Sequence, residues 1–143
     1  MKEITKIEGG CHCGNIRFTL SWPEAEIEIP VRKCGCTFCQ KHGGSWTSNR
    51  MSELTATIED DARVSRYNFG TKTADFYVCS YCGVVPFVLS DIDDNLYAVV
   101  STNAFADTPG FSLSSSATDF DGEDTGSRLE RRKRNWIPKV SIN

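Results

Sequence analysis

The stretch Cys79-Ser80-Tyr81-Cys82-Gly83 holds two cysteines separated by two residues, the spacing of a metal-binding knuckle. Gly83 follows the second cysteine and can adopt the positive φ that such a tight turn commonly needs. Five further cysteines lie upstream: Cys11, Cys13, Cys34, Cys36 and Cys39. The cysteines thus form three short groups, and these groups decide how the rest of the chain is interpreted.

The number of cysteines indicates two metal sites. A tetrahedral zinc site takes four thiolates, so seven cysteines divide naturally into one closed site of four and one open site of three. The closed site would hold the fold, and the open site would leave a fourth position for water or a substrate thiolate. Thiolates also hold rubredoxin-type iron or a cluster, but the four-cysteine spacing of ferredoxins is absent. We therefore expect two zinc ions per chain.

Disulfide bonds are the other use of so many cysteines. Residues 1–8, Met1-Lys2-Glu3-Ile4-Thr5-Lys6-Ile7-Glu8, contain no apolar stretch of the kind found in a signal peptide. The chain is therefore expected to be cytoplasmic, where thiols stay reduced. The odd count and the short gaps also suit chelation of one ion better than bridges between distant segments.

The cysteine spacings alone leave the division into two sites open. Cys11 and Cys13 leave an extended chain on the same face and can grip one ion. Cys34, Cys36 and Cys39 lie within six residues and can converge on one metal. However, a ribbon-type site that joins Cys36 and Cys39 to Cys79 and Cys82 satisfies the same spacings.

Length and charge restrict the remaining possibilities. The 143 residues are expected to form a single zinc-binding domain over residues 1–143. The net charge of −3 argues against a general nucleic-acid-binding protein, whose phosphate contacts need a clustered basic surface. The sequence has no apolar run of the roughly 20 residues that a membrane span requires.

The hydrophobic pattern is that of a mainly β protein. Residues 15–20 alternate polar and apolar side chains, and β-rich runs occur at 27–31, 76–78, 84–89 and 96–100. Short antiparallel strands are the expected architecture. A short C-terminal helix is predicted, with Ser127 and Glu130 as a capping box and Pro138 ending the run.

Three ordered runs resemble the signature blocks of the glutathione-dependent formaldehyde-activating enzyme family, which includes centromere protein V. They are Gly10-Cys11-His12-Cys13-Gly14-Asn15-Ile16-Arg17-Phe18, Cys34-Gly35-Cys36-Thr37-Phe38-Cys39-Gln40-Lys41-His42-Gly43 and Cys79-Ser80-Tyr81-Cys82-Gly83-Val84-Val85-Pro86-Phe87. The resemblance implies a β-tent fold, with short antiparallel sheets around a structural zinc on Cys11, Cys13, Cys79 and Cys82. It also implies a catalytic zinc on Cys34, Cys36 and Cys39.

The resemblance further implies an activity. The family's name-giving reaction joins formaldehyde to glutathione as S-hydroxymethylglutathione, and the family is described as carbon-sulfur lyases. Three thiolate ligands suit this class, because they favour a soft sulfur ligand over the activation of water. We therefore expect a zinc-dependent carbon-sulfur lyase with glutathione or another small thiol as partner. The alternative is a non-catalytic, zinc-stabilised binding module of the same fold.

The sequence differs from many family members beside the last cysteine pair. Such members carry a histidine shortly before this pair and another next to the proline that follows it. Here the two stretches are Asp75-Phe76-Tyr77-Val78 and Val84-Val85-Pro86, so both histidines are absent. The difference concerns proton transfer and glutathione contacts rather than the zinc ligands.

Some side chains near the cysteines are further candidates. His42 can complete or gate the open site, although a surface position is the simpler interpretation. Trp46 can form an aromatic wall beside a substrate or belong to the core. The basic side chains that can meet substrate carboxylates are Arg32, Lys33 and Lys41. The basic run Arg131-Arg132-Lys133-Arg134 is interpreted as a solvated helix face.

Overall fold

The computed structural model describes residues 5–23, 27–107, 111–118, 120 and 122–143. Within them, the strands are β1 (Thr5–Gly10), β2 (Ile16–Trp22), β3 (Ile27–Cys34), β4 (Ser45–Thr47), β5 (Glu53–Ile58), β6 (Val64–Tyr67), β7 (Asp75–Cys79), β8 (Phe87–Ile92), β9 (Asn95–Ser101), β10 (Phe111–Thr118) and β11 (Lys139–Ile142). The helices are α1 (Thr37–His42) and α2 (Thr125–Asn135). The mainly β fold class predicted from the sequence is confirmed.

The described strands form two sheets. One has the order β1-β2-β5-β11, and the other has the order β10-β3-β4-β9-β8-β7-β6. Neighbours that are close in sequence pair antiparallel, such as β8 and β9, which are joined by a tight turn at Asp93 and Asp94. Most pairs are antiparallel, as predicted, and two pairs are parallel, β10 with β3 and β11 with β5. Both parallel pairs join segments far apart in sequence, which leaves room for the crossover that a parallel pair requires.

The main core lies between the two sheets. Alternate residues of β2 point inward, where Ile16, Phe18 and Leu20 are almost fully buried. They belong to one apolar cluster with Phe87 of β8 and Val100 of β9. Burial of each such side chain contributes roughly 1.5–3 kcal/mol. The alternation noted in the sequence is therefore the pattern of a half-buried strand.

Ile137 connects the C-terminal segment to the middle of the larger sheet. Its backbone N–H donates to the carbonyl of Ala98 at 2.9 Å and its carbonyl accepts from the Ala98 N–H at 3.0 Å. The Ile137 side chain is fully buried in the main core. This anchor fixes Trp136 and the preceding helix α2 against the sheet.

The start of α2 differs from the predicted capping box. Asp124 is the N-cap, and its carboxylate accepts from the N–H of Ser127 at 2.8 Å and from the Ser127 hydroxyl at 3.0 Å. Ser127 is therefore the donor to the cap and not the cap itself. The helix extends to Asn135, and strand β11 follows it, so it is near the C-terminus without being the last element. Neither described helix has the length and apolar content to cross a bilayer.

Candidate functional site

The structure brings Cys11, Cys13, Cys79 and Cys82 together, and we call them the four-cysteine group. Their sulfurs all lie within 4.8 Å of one another. The Cys13 sulfur is 3.7 Å from that of Cys11 and 3.5 Å from that of Cys79. Sulfurs bound tetrahedrally to one zinc at about 2.3 Å are about 3.8 Å apart. The donor set and its spacing therefore fit a zinc ion, whereas a disulfide would need a separation of about 2 Å.

Two elements of the fold converge on the four-cysteine group. Cys11 follows β1, and its sulfur accepts the N–H of Ile16 at 3.3 Å. Cys79 ends β7 in the other sheet, is fully buried, and accepts the N–H of Cys82 at 3.5 Å. Gly83, with φ of 82°, makes the turn of the knuckle as the sequence predicts. The group thus joins the two sheets.

Cys34, Cys36 and Cys39 form the three-cysteine group, with sulfurs again within 4.8 Å of one another. Cys34 ends β3, and Cys36 is the N-cap of α1, where its sulfur accepts the N–H of Cys39 at 3.4 Å. Cys39 is buried on the inner side of this short helix. The ribbon-type combination of Cys36 and Cys39 with Cys79 and Cys82 is not the grouping found in the structure. All seven cysteines lie in described residues, and none is in a disulfide.

The crowding of the three-cysteine group disfavours several thiolates at once. Hydrogen bonding to the Cys34 thiol and burial raise the pKa of Cys39 well above its ordinary value. Burial also raises the pKa of Cys36. A divalent cation among the three sulfurs reverses this preference, because a coordinating thiol is deprotonated. Soft sulfur donors of this number match zinc with one position left for another ligand.

A cavity of about 400 Å³ adjoins the three-cysteine group, and all three of these cysteines line it. Part of its wall is aromatic and is formed by Trp46, Phe69, Phe76 and Trp136. Another part is basic and is formed by Arg32, Arg128, Arg131 and Arg132, with Glu123 among them. An open donor site, an apolar surface and fixed charges in one concave space are the usual components of a small-molecule site.

Of the candidate residues suggested by the sequence, the structure places some beside the three-cysteine group and others away from it. Trp46 and Arg32 line the cavity, and Trp46 donates its Nε1–H to the Cys39 sulfur at 3.4 Å. His42 is exposed at the end of α1, where its ring stacks on Phe38 with centroids 5.5 Å apart. It is not among the residues whose ligand atoms meet at the three-cysteine group. The exposed Lys33 and Lys41 are also outside the described lining of the cavity.

The basic wall of the cavity is the part that the sequence interpretation missed. Arg132 is only 6% exposed, so the prediction of a solvated face is wrong at this position. Arg131 is also largely covered, because it packs over Phe120 and pairs with Glu123. The signal was available in the spacing of Arg128, Arg132 and Trp136. Residues four apart share one face of a helix.

Comparisons with known proteins agree with the fold and the cysteine groups. A model of the family described as glutathione-dependent formaldehyde-activating enzyme matches residues 6–117. A crystal structure of a Rhodobacter sphaeroides protein, solved as a structural genomics target, is 23% identical, with a TM-score of 0.56. That alignment covers 78% of this chain and 99% of the other chain. At this level of identity the likeness concerns the fold.

Proposed function

The chain belongs to the glutathione-dependent formaldehyde-activating enzyme family, and from this premise we propose that it is a zinc-dependent carbon-sulfur lyase acting on a thiol adduct. In this proposal the three-cysteine group holds the catalytic zinc and the four-cysteine group holds a structural zinc, in a single domain over residues 1–143. The observation that carries the proposal is the contrast between the two groups. All three cysteines of the three-cysteine group line one cavity together with aromatic and arginine side chains, whereas a separate cavity is lined by Cys11 alone of the four-cysteine group.

The proposed reaction is the reversible addition of a thiol to an aldehyde. The sulfur electron pair forms the new carbon-sulfur bond, the π pair of the carbonyl moves to oxygen, and the proton lost by the thiol ends on that oxygen. A bound zinc would supply a position where the substrate sulfur is deprotonated at neutral pH. The cleavage direction reverses each of these changes, so the same site serves both.

The residues of the chain have distinct parts in this proposal. Cys34, Cys36 and Cys39 hold the metal, and the Trp46 indole orients the Cys39 sulfur. Phe76 contacts the Trp46 ring at 5.8 Å between centroids and extends the apolar wall. These side chains exclude water from the side of the cavity next to the cysteines, which protects a reactive carbonyl from competing hydration.

The function is tested by measuring exchange between a thiol and its hydroxymethyl adduct with magnetisation-transfer NMR. Uncatalysed addition is already reversible, so exchange rates with and without protein must be compared, and product yield reports only the equilibrium. Glutathione with formaldehyde is the first pair to test, followed by other thiols and aldehydes. We expect the zinc-replete protein to accelerate exchange for at least one pair, and Cys36→Ala to abolish the acceleration.

His42→Ala is the matched control, because this residue is close in sequence but outside the three-cysteine group. It should retain the wild-type exchange rate. If protein with two zinc ions accelerates exchange for no pair, the lyase proposal is wrong and the binding-module alternative is favoured.

A further inference from the structure

Among the described residues, the lining of the cavity beside the three-cysteine group carries more positive than negative side chains. Its described lining contains four arginines, namely Arg32, Arg128, Arg131 and Arg132, but a single carboxylate, Glu123. Glu123 already accepts from Nε and Nη2 of Arg131 at 3.1–3.2 Å and lies 3.9 Å from Nε of Arg128. Arg128 and Arg131 therefore share this carboxylate. Arg32 and Arg132 are not paired with it.

Arg32 and Arg132 have neutral hydrogen-bond partners. Nη2 of Arg32 donates to the Ser48 hydroxyl at 2.6 Å. Nη1 of Arg132 donates to the carbonyl and hydroxyl of Thr73 and to the hydroxyl of Ser90, at 2.7–3.1 Å. Among the ion pairs of the described residues, neither arginine has a carboxylate within 4.0 Å. Arg132 is only 6% exposed, and an arginine is rarely so buried unless a counter-charge accompanies it.

The hydrogen bonding of the basic wall is also incomplete. Nε of Arg132 and the hydroxyl of Thr118 are buried without a hydrogen-bond partner among the described residues, and both residues line the cavity. Burial, together with the neighbouring charges of Arg128 and Arg131, lowers the pKa of Arg132 to about 10. An anion in the cavity would supply the counter-charge that Arg132 lacks among the described residues.

The arginines are held in place before any ligand arrives. The guanidinium of Arg132 lies over the Trp136 ring at 4.9 Å, and that of Arg131 lies over Phe120 at 3.6 Å. A planar guanidinium fixed in this way is suited to two parallel hydrogen bonds with a carboxylate. The cavity offers little to a cationic group, because its one described carboxylate is already shared by two arginines.

Helix α2 supplies three of the four arginines, and it lies beyond residue 117, where the family match ends. Three of the four arginines of the basic wall are therefore outside the segment that identifies the family, whereas Arg32 lies within it. The cysteine groups also lie within that segment.

We propose that Arg32 and Arg132 bind the carboxylate of a small mercaptocarboxylate, or of its aldehyde adduct, and that the cavity discriminates against thiols that carry an ammonium group. As a statement about the substrate, this rests on the proposed lyase function. The anion site itself is measurable with a ligand that contains no sulfur.

The test uses phenylacetate and its neutral analogue phenylacetamide on the zinc-replete protein. Trp46 and Trp136 both line the cavity, so their fluorescence reports occupancy. Phenylacetate should bind saturably and about tenfold more tightly than the amide, because hydrogen bonds to a charged partner are the strong ones. Equal binding of the acid and the amide would overturn the proposal.

Variants then locate the site. Arg132→Gln and Arg32→Gln should each weaken phenylacetate binding about tenfold, and Arg132→Lys should recover part of the loss. Arg17→Gln is the control, since Arg17 is exposed, pairs with Glu59, and lies outside the cavity. If Arg132→Gln fails to fold, Arg32→Gln alone decides. Wild-type affinity in the folded variants would show that the acid binds elsewhere and that the proposal is wrong.

A second measurement separates this inference from the lyase function. Cobalt-substituted protein is titrated with 3-mercaptopropionate, 2-mercaptoethanol and cysteamine, and binding is followed in the cobalt-thiolate absorption. We expect affinity to fall in that order. If the three thiols bind with equal affinity and phenylacetate does not bind, the anion site is wrong and the proposed thiol chemistry still stands. Phenylacetate binding without any thiol binding would support the anion site and contradict the lyase assignment.

Discussion

The indole Nε1–H of Trp46 donates to the sulfur of Cys39 at 3.4 Å, and this bond links the aromatic wall of the cavity to the three-cysteine group. Trp46→Phe keeps an aromatic ring at this position and removes the donor. Loss of a hydrogen bond to a metal ligand typically weakens metal binding about 10- to 100-fold. We expect this reduction at the three-cysteine group, measured by chelator competition with the cobalt form. Unchanged affinity of the four-cysteine group is the internal control, and equal weakening at both groups would contradict the assignment.

Gly44 makes room for the contact between Trp46 and Cys39. A Cβ at this position would lie 2.7 Å from Nε1 of Trp46 and 2.9 Å from the Cys39 sulfur. Gly44→Ala should therefore push the indole away and weaken metal binding at the three-cysteine group, as Trp46→Phe does. Gly126→Ala is the matched control, because its Cβ would meet an Asp124 oxygen at an ordinary 3.5 Å. Metal binding in Gly44→Ala equal to that of the control would show that the indole is not constrained here.

The two cysteine groups should differ in their effect on stability. Cys79→Ala breaks the group that joins both sheets, and a structural zinc contributes folding free energy directly. This variant should lose cooperative thermal unfolding. Cys36→Ala should release one zinc and still unfold cooperatively, because its group closes only a short loop. Calorimetry with metal analysis measures both, and equal destabilisation would contradict the division of roles.

The open position at the three-cysteine group should accept thiols and not thioethers. Ligands bind zinc or cobalt deprotonated, so thiol affinity should rise with pH until the free thiol itself ionises near a pKa of about 8.5. A methylated thioether of the same thiol has no proton to lose and should bind far more weakly, without this pH dependence. Cobalt-thiolate absorption follows both titrations. Similar binding of the two ligands would mean that sulfur does not reach the metal.

The sequence predicted the strands well where one face of the strand is buried. The alternation in Asn15–Leu20 corresponds to β2, and the run around Phe76 corresponds to β7. Helix α1 was missed, since its six residues make fewer than two turns and are too few to show a helical period. The parallel pairs were not predictable either, because register between β10 and β3 depends on packing across many residues.

The candidate site shows the same division between local and distant information. The three-cysteine group is local, and its residues were identified from spacing and resemblance. The Cys79 sulfur lies 3.5 Å from that of Cys13 because of how the two sheets pack. The cysteine spacing had left this pairing open. The spacing of Arg128 and Arg132 showed that they share a helix face, but what that face packs against depends on the long-range pairing of Ile137 with Ala98.

Helix α2 follows all seven cysteines in the chain, and this order has a consequence for synthesis on the ribosome. The last of the seven cysteines is residue 82, whereas the arginines of α2 begin at residue 128. Domains form progressively from the N-terminus as the chain emerges. In a nascent chain, both cysteine groups can therefore leave the ribosome before the three cavity-lining arginines of α2 do. The chain would then bind its metals before all of the arginines that we propose for substrate recognition are in place.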